Sequence, residues 1–266
     1  MTNHKKTILI TGAGSGIGKD TAYALCEKGH TVIATTETDS QAEALKKEFL
    51  NTPYKIEICK LDITQPTDRE KIGLYDIDVL INNAAIGETG SLSEIPIDRV
   101  RHNFEVNVFS TIELTQVVLK GMMKKGKGTV LFISSLAGRE PSLFLNPYSM
   151  TKFALSGGVA ALREELHKVT KDVHISLIEP GAYATGFNQK MMATKYEWMG
   201  KDSFFYGMLD RLKKEEEDRF LLLEQKNTKT IVRKIVQACE SSHPRLRYVA
   251  PAYQGLGIAL LRIWGK

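Results

Sequence analysis

Cysteine is scarce in this 266-residue chain, and long apolar runs are missing. The three cysteines, Cys26, Cys59 and Cys239, are far apart and show no CxxC spacing. That excludes a disulfide framework or a zinc site as the organising device, and it points to a reducing compartment. No apolar stretch approaches the roughly 20 residues that span a bilayer. The longest candidate, Gly255 to Trp264 (GLGIALLRIW), reads as a packed C-terminal tail, with a membrane or a partner subunit as the other ways to cover it. The N-terminal MTNHKKTILITG runs from polar residues directly into a strand-like segment and carries no signal core, so a cytoplasmic location is expected. The net charge of +5 is small for the length and scattered. Its densest stretch, Lys213 to Arg219 (KKEEEDR), mixes both signs and is predicted to be a solvated helix face, which argues against a nucleic-acid surface. Repeats and low-complexity linkers are also missing. With 42% hydrophobic residues the chain suits one domain over 1–266.

What is there is alternation. Strand-like segments at Thr7–Thr11, His30–Thr36, Lys55–Leu61, Asp78–Ala84, Gly128–Ser135, Val173–Glu179 and Arg247–Ala250 are separated by helix-like ones. The helical patterns include Ile17–Lys28, Gln41–Leu50, a long amphipathic stretch Ile97–Lys125, a helix from Tyr148 to about Val169, and Thr228–Glu240. Strands alternating with helices imply a mainly parallel, doubly wound α/β sheet of Rossmann-like type, seven-stranded, with helices on both faces. Residues 182–226 break the regularity with four methionines, Tyr183, Phe187, Trp198, Phe204, Phe205 and Tyr206. Such an insertion is expected to be a lid over a site or an oligomer contact.

The first strand leads into TGAGSGIG, residues 11 to 18. Gly12, Gly16 and Gly18 allow a tight strand-to-helix turn and a close backbone approach to a pyrophosphate. The phosphates would then meet free N–H groups and the positive dipole end at the helix start. The second strand ends in ATTET, with Thr36 where an acidic ribose ligand usually stands and Glu37 after it. Ser15 in the glycine turn is neutral as well. Without an Arg or Lys for a 2′-phosphate, the pattern leans towards NAD over NADP, with neither excluded.

One further pair completes the pattern. In NPYSMTKFALSG, residues 146 to 157, Tyr148 and Lys152 stand four apart and so share a helix face. Alone, such a pair is ordinary surface decoration. Taken with Gly12, Gly16, Gly18, Asn82-Asn83-Ala84-Ala85, Asn107, Ser135-x12-Tyr148-x3-Lys152 and Pro180-Gly181 with Thr185, the sequence resembles the short-chain dehydrogenase/reductase family from about residue 6 to about 250. Ala85, where that family usually has glycine, is a small departure.

The resemblance implies an oxidoreductase that moves hydride between NAD(P) and an alcohol/carbonyl pair. Asn107, Ser135, Tyr148 and Lys152 would form the catalytic set, with no metal. Ser135 would bond the substrate oxygen, and Asn107 would position a water behind Lys152. Tyr148, with an ordinary pKa of about 10, would serve as the acid/base once a nearby ammonium and an oxidised nicotinamide favour the phenolate. Lys152 would also hold the nicotinamide ribose. Asp62 and the backbone at Ile63 would contact adenine, Asn82 and Ala84 would line the adenosine side, and Ile17 would cap the pyrophosphate. Pro180-Gly181, Thr185 and the backbone near Ala182 would hold the carboxamide. The apolar lid and the tail His243 to Pro251 (HPRLRYVAP) resemble the steroid- and retinol-dehydrogenase branch, so a small lipophilic alcohol or ketone is the expected partner. The family also pairs the two long helices across two-fold axes, so a homodimer or homotetramer is expected. The alternative, a nucleotide-sensing protein of the same fold without catalysis, would be expected to have lost Tyr148 or Lys152.

Overall fold

The computed structural model describes residues 5–263. One seven-stranded sheet, parallel throughout, runs in the order β3-β2-β1-β4-β5-β6-β7. The strands are β1 (Thr7–Ile10), β2 (Thr31–Thr36), β3 (Ile56–Lys60), β4 (Val79–Asn82), β5 (Gly128–Ile133), β6 (Val173–Pro180) and β7 (Arg247–Ala250). Every strand predicted from the sequence is present, with ends shifted by a few residues. The winding changes direction between β1 and β4, and in such sheets this switch opens a crevice beyond the carboxyl ends of the strands.

The pleat sends alternate residues of each strand to opposite cores. Ile8 and Ile10 pack with α1 (Gly16–Glu27), α2 (Asp39–Phe49) and α9 (Lys229–Glu240), through Leu25, Leu45 and Ile235 among others. Leu9 and Leu80 pack on the other face with α5 (Thr111–Lys125) and α6 (Asn146–Leu166), through Leu114, Val118, Leu155 and Val159. Helix starts follow local chemistry. Thr38 and Gln41 form a reciprocal capping box at α2. Pro66 opens α3 (Pro66–Ile72) and Pro147 opens α6, where a missing N–H is harmless.

Two expectations need correcting. The Ile97–Lys125 stretch is not one regular helix: α4 (Ile97–Phe104) is joined to α5 by a widened π-helical turn, Glu105–Ser110. Such turns are common at functional sites, and this one contains Asn107. The KKEEEDR stretch is not wholly solvated. The insertion forms α7 (Phe187–Trp198) and α8 (Leu209–Leu223), and Glu216 of α8 is buried in a 2.8 Å ion pair with the fully buried Lys195 of α7. Phe144, Met199, Leu209 and Leu212 form a small core between these helices and the loop before α6.

The tail is the helix α10 (Ala252–Ile263). It is only partly packed, since Tyr253, Leu256 and Leu260 are exposed. Trp264 of the predicted tail lies outside the described residues. No helix among the described residues is long and apolar enough to cross a membrane.

Candidate active site

A cleft of about 1120 Å³ opens at the carboxyl ends of the strands. Its inner end is built by the glycine turn. Gly12 has φ +63, and a Cβ there would lie 2.8 Å from the Ala84 Cα. At Gly18 a Cβ would lie 2.6 Å from the Gly12 carbonyl oxygen. Glycine is therefore required for β1, β4 and α1 to meet this closely. Ser15 precedes α1 without a side-chain cap, so the first N–H groups of that helix are free to meet an anion. A dinucleotide pyrophosphate fits this cradle.

Of the predicted cofactor contacts, Gly12, Ser15, Gly16, Ile17, Gly18, Thr36, Glu37, Asp62, Ile63, Ala84, Tyr148, Lys152, Pro180, Gly181 and Thr185 all line the cleft. Asn82 does not. Its side chain is buried and donates to Thr115 Oγ1 (2.9 Å), while the neighbouring Asn83 lines the cleft and donates to the carbonyls of Thr11 and Gly12. Adjacent strand residues face opposite ways, and the sequence pattern could not tell which asparagine turned outward. Thr36 is buried and its hydroxyl donates to the Thr38 carbonyl (3.0 Å), so that proton is already committed.

At the other end, Ser135 follows β5, and Tyr148 and Lys152 lie one turn apart on α6, both buried. Ser135 Oγ accepts from the Ala137 N–H (3.1 Å). Lys152 Nζ donates to the Ile133 carbonyl (2.9 Å) and lies 5.4 Å from the Tyr148 ring centre. The lowered tyrosine pKa is expected with an ammonium and an oxidised nicotinamide together; in the chain alone the shift runs the other way. Burial pushes Tyr148 up to about 12, against the opposing pull of its hydrogen bond to Ser135. Burial likewise pushes Lys152 down to about 8. Desolvation penalises each charged form more than the neighbouring group stabilises it.

Asn107 stands behind the cleft rather than on its wall. Its Oδ1 accepts from the Ile86 N–H (2.9 Å), and its Nδ2 is shared among Ile86 O, Asn103 Oδ1 and Thr151 Oγ1. The π-helical turn thus bolts the loop after β4 to α6. The 182–226 insertion contributes Phe187, Met191, Met192 and Phe220 to the wall around Tyr148.

The family model for short chain dehydrogenases matches residues 6–196. The chain belongs to that family. The protein is an NAD(P)-dependent oxidoreductase. Retinol dehydrogenase 8 of Homo sapiens is 29% identical over 258 residues, 93% of this chain and 82% of the relative. An NADPH-dependent 3-dehydrocapnine reductase of Ornithobacterium rhinotracheale is 30% identical over 251 residues, 91% of this chain and 86% of the relative. The crystal structure of a short-chain dehydrogenase/reductase from Burkholderia phymatum in complex with NAD superposes with a TM-score of 0.82, covering 98% of this chain and 94% of that one. At 17% identity this last likeness speaks for the fold alone.

Several cleft residues of this dehydrogenase were missed in the sequence. Gly14 belongs to the same glycine run and was legible there. Gln41, Thr64 and Glu140 carried no local signal. Gln254 comes from α10, far along the chain, and its Oε1 accepts from the Ala182 N–H (3.0 Å). The backbone N–H expected to hold a carboxamide is thereby already paired within the chain.

Proposed function

We propose that this dehydrogenase interconverts an alcohol and a ketone or aldehyde on a lipophilic substrate, with Tyr148 as the general acid/base. The observation that carries the proposal is the burial of Tyr148 at the base of a cleft whose facing wall is Met191, Met192, Phe187 and Phe220. Apolar walls with a few convergent polar groups suit a substrate that is mostly hydrocarbon around one reacting oxygen. The names of the two relatives, a retinol dehydrogenase and a 3-dehydrocapnine reductase, support the same class.

When bound, the nicotinamide cofactor supplies or takes the hydride and, oxidised, carries a positive ring. In reduction, Ser135 donates a hydrogen bond to the carbonyl oxygen while Tyr148 delivers its proton to that oxygen. Tyr148 carries this proton at neutral pH as any phenol would, and burial disfavours its phenolate further. In oxidation the phenolate form of Tyr148 would take the proton from the alcohol, a form that the positive ring of the oxidised cofactor and the Lys152 ammonium would favour. Lys152 holds the ribose and is kept one turn below by the Ile133 carbonyl. Asn107 keeps the β4 loop and α6 in register.

The cofactor preference is for NAD. Glu37 lines the cleft beside a committed Thr36 hydroxyl, and no lysine or arginine occupies residues 34–38 to meet a 2′-phosphate. Assembly is at least dimeric. Phe109 and Ile112, near the start of α5, and Met150 and Phe153 of α6 are exposed apolar side chains. Gly157 and Gly158 of α6 leave open space where a second helix could approach.

Screening alcohols and ketones with both cofactors, followed by nicotinamide absorbance, tests the function. Tyr148→Phe should cut turnover by orders of magnitude while cofactor binding is kept. Full activity of that variant on a wild-type substrate would overturn the mechanism.

A further inference from the structure

We infer that Glu140 recognises a protonated amine on the substrate, within a few bonds of the reacting carbonyl, so that the natural substrate is a long-chain amino ketone or amino alcohol. This rests on the alcohol/carbonyl function proposed above and names its substrate class.

Glu140 lines the same cleft as Ser135 and Tyr148 and lies on the segment that joins them. One of its carboxylate oxygens is buried without a hydrogen-bond partner among the described residues. Glu140 itself is half-buried, whereas the fully buried carboxylates among the described residues each have a cation. Glu179 is held by Arg139 and Arg247, Glu216 by Lys195, and Asp68 by Lys60 and Lys71. A carboxylate oxygen buried without a partner is costly, and its presence in a cleft of mainly apolar lining points to a cation that arrives with a ligand.

The segment carrying Glu140 is anchored on both sides. Arg139, immediately before it, is committed to Glu179, with Nε 3.0 Å from Oε1. Four residues on, Phe144 is buried in the core with Met199, Leu209 and Leu212, and its carbonyl accepts from the Gly90 N–H (2.7 Å). Phe144 adopts φ +58, which an aromatic residue tolerates only when its surroundings impose it. The carboxylate is thus held in the cleft wall by its neighbours on both sides.

The cations already present in the cleft do not answer it. Lys152 is spent on the Ile133 carbonyl, and His102, Lys190 and Arg219 are exposed and form no ion pair with Glu140. A primary ammonium near the carbonyl would meet the Glu140 carboxylate while Ser135 and Tyr148 hold the oxygen, and the alkyl chain would run along Met191, Met192 and Phe220. A charge-assisted pair of this kind gives orientation as well as affinity.

The test compares 2-aminooctadecan-3-ol with octadecan-3-ol, each oxidised in the presence of NAD or NADP. The wild type should favour the amino alcohol by about tenfold or more in kcat/KM, the scale of one hydrogen bond to a charged group. Glu140→Gln should collapse that ratio towards one, and Glu140→Asp should keep part of it. Equal use of both alcohols by the wild type overturns the inference. An equal fall for both in Glu140→Gln also overturns it, because that result assigns the carboxylate to the loop or the lid. Calorimetric binding of the two alcohols to the cofactor-loaded enzyme reads the amine without turnover. Amine-selective binding lost in Glu140→Gln would support the inference even if neither alcohol were oxidised, a result that would count against the proposed reaction alone.

Discussion

The ammonium of Lys152 stands 5.4 Å from the centre of the Tyr148 ring, yet its hydrogen bond goes to the Ile133 carbonyl, 2.9 Å away. The pair is therefore adjacent without being directly bonded. Both groups are buried, and burial moves each towards its neutral form, Tyr148 up to about 12 and Lys152 down to about 8.

A pH dependence of stability follows for the cofactor-free enzyme. The Lys152 value is lower in the folded state than the ordinary 10.5, so folding favours the neutral amine. Its contribution is fully present above pH 10.5 and is lost as pH falls through 8, a loss of about 3 kcal/mol for a shift of this size. Tyr148, raised, contributes fully below its ordinary value of 10 and loses that contribution only at higher pH. Thermal unfolding between pH 7 and 9.5 should show wild type gaining on Lys152→Met as pH rises, with the variant at least as stable at pH 7. A pH-independent difference between the two proteins would refute this.

The packing of α7 against α8 depends on a buried pair. Lys195→Met leaves the Glu216 carboxylate buried without its cation and should cost about 3–5 kcal/mol. Replacing both, Lys195→Met with Glu216→Leu, should recover most of that loss. Urea unfolding of the two variants measures it, and a double variant as unstable as the single one would show that the pair is not the cause.

Cofactor choice is tested at Glu37. Wild type should bind NAD more tightly than NADP, and Glu37→Arg should shift the ratio towards NADP by about tenfold, or 1.4 kcal/mol. Fluorescence titration of both nucleotides decides it, and a clearly lower dissociation constant for NADP in wild type would contradict the preference.

Assembly through α5 and α6 predicts at least a dimer by light scattering at micromolar concentration. Phe153→Glu places a charge on the exposed apolar face and should shift the mass towards monomer. A monomeric wild type would remove the basis for this interface.

Much of the site was readable because its signals are local. The glycine turn needs its residue types within eight positions of one another, Thr11 to Gly18, and Tyr148 and Lys152 owe their shared face to helical spacing alone. The residues that went astray depend on neighbours distant in the chain. Asn82 turned to Thr115, Glu216 found Lys195, and Gln254 reached the Ala182 N–H. The upward shift of Tyr148 in the chain alone could not be read from the Tyr-x3-Lys spacing, because it comes from burial among residues distant in the chain.

By itself the sequence determined the alternation of strands and helices, the parallel sheet, the glycine cradle and the Ser135–Tyr148–Lys152 constellation, because each follows from periodicity or short-range spacing. Tertiary structure alone decided which asparagine faces the cleft, that α4 and α5 are joined by a widened turn around Asn107, and that one buried carboxylate oxygen of Glu140, in the cleft wall, is left without a partner among the described residues. Those outcomes depend on which distant side chains arrive to satisfy a buried charge or N–H, and no local pattern of residues encodes that arrival.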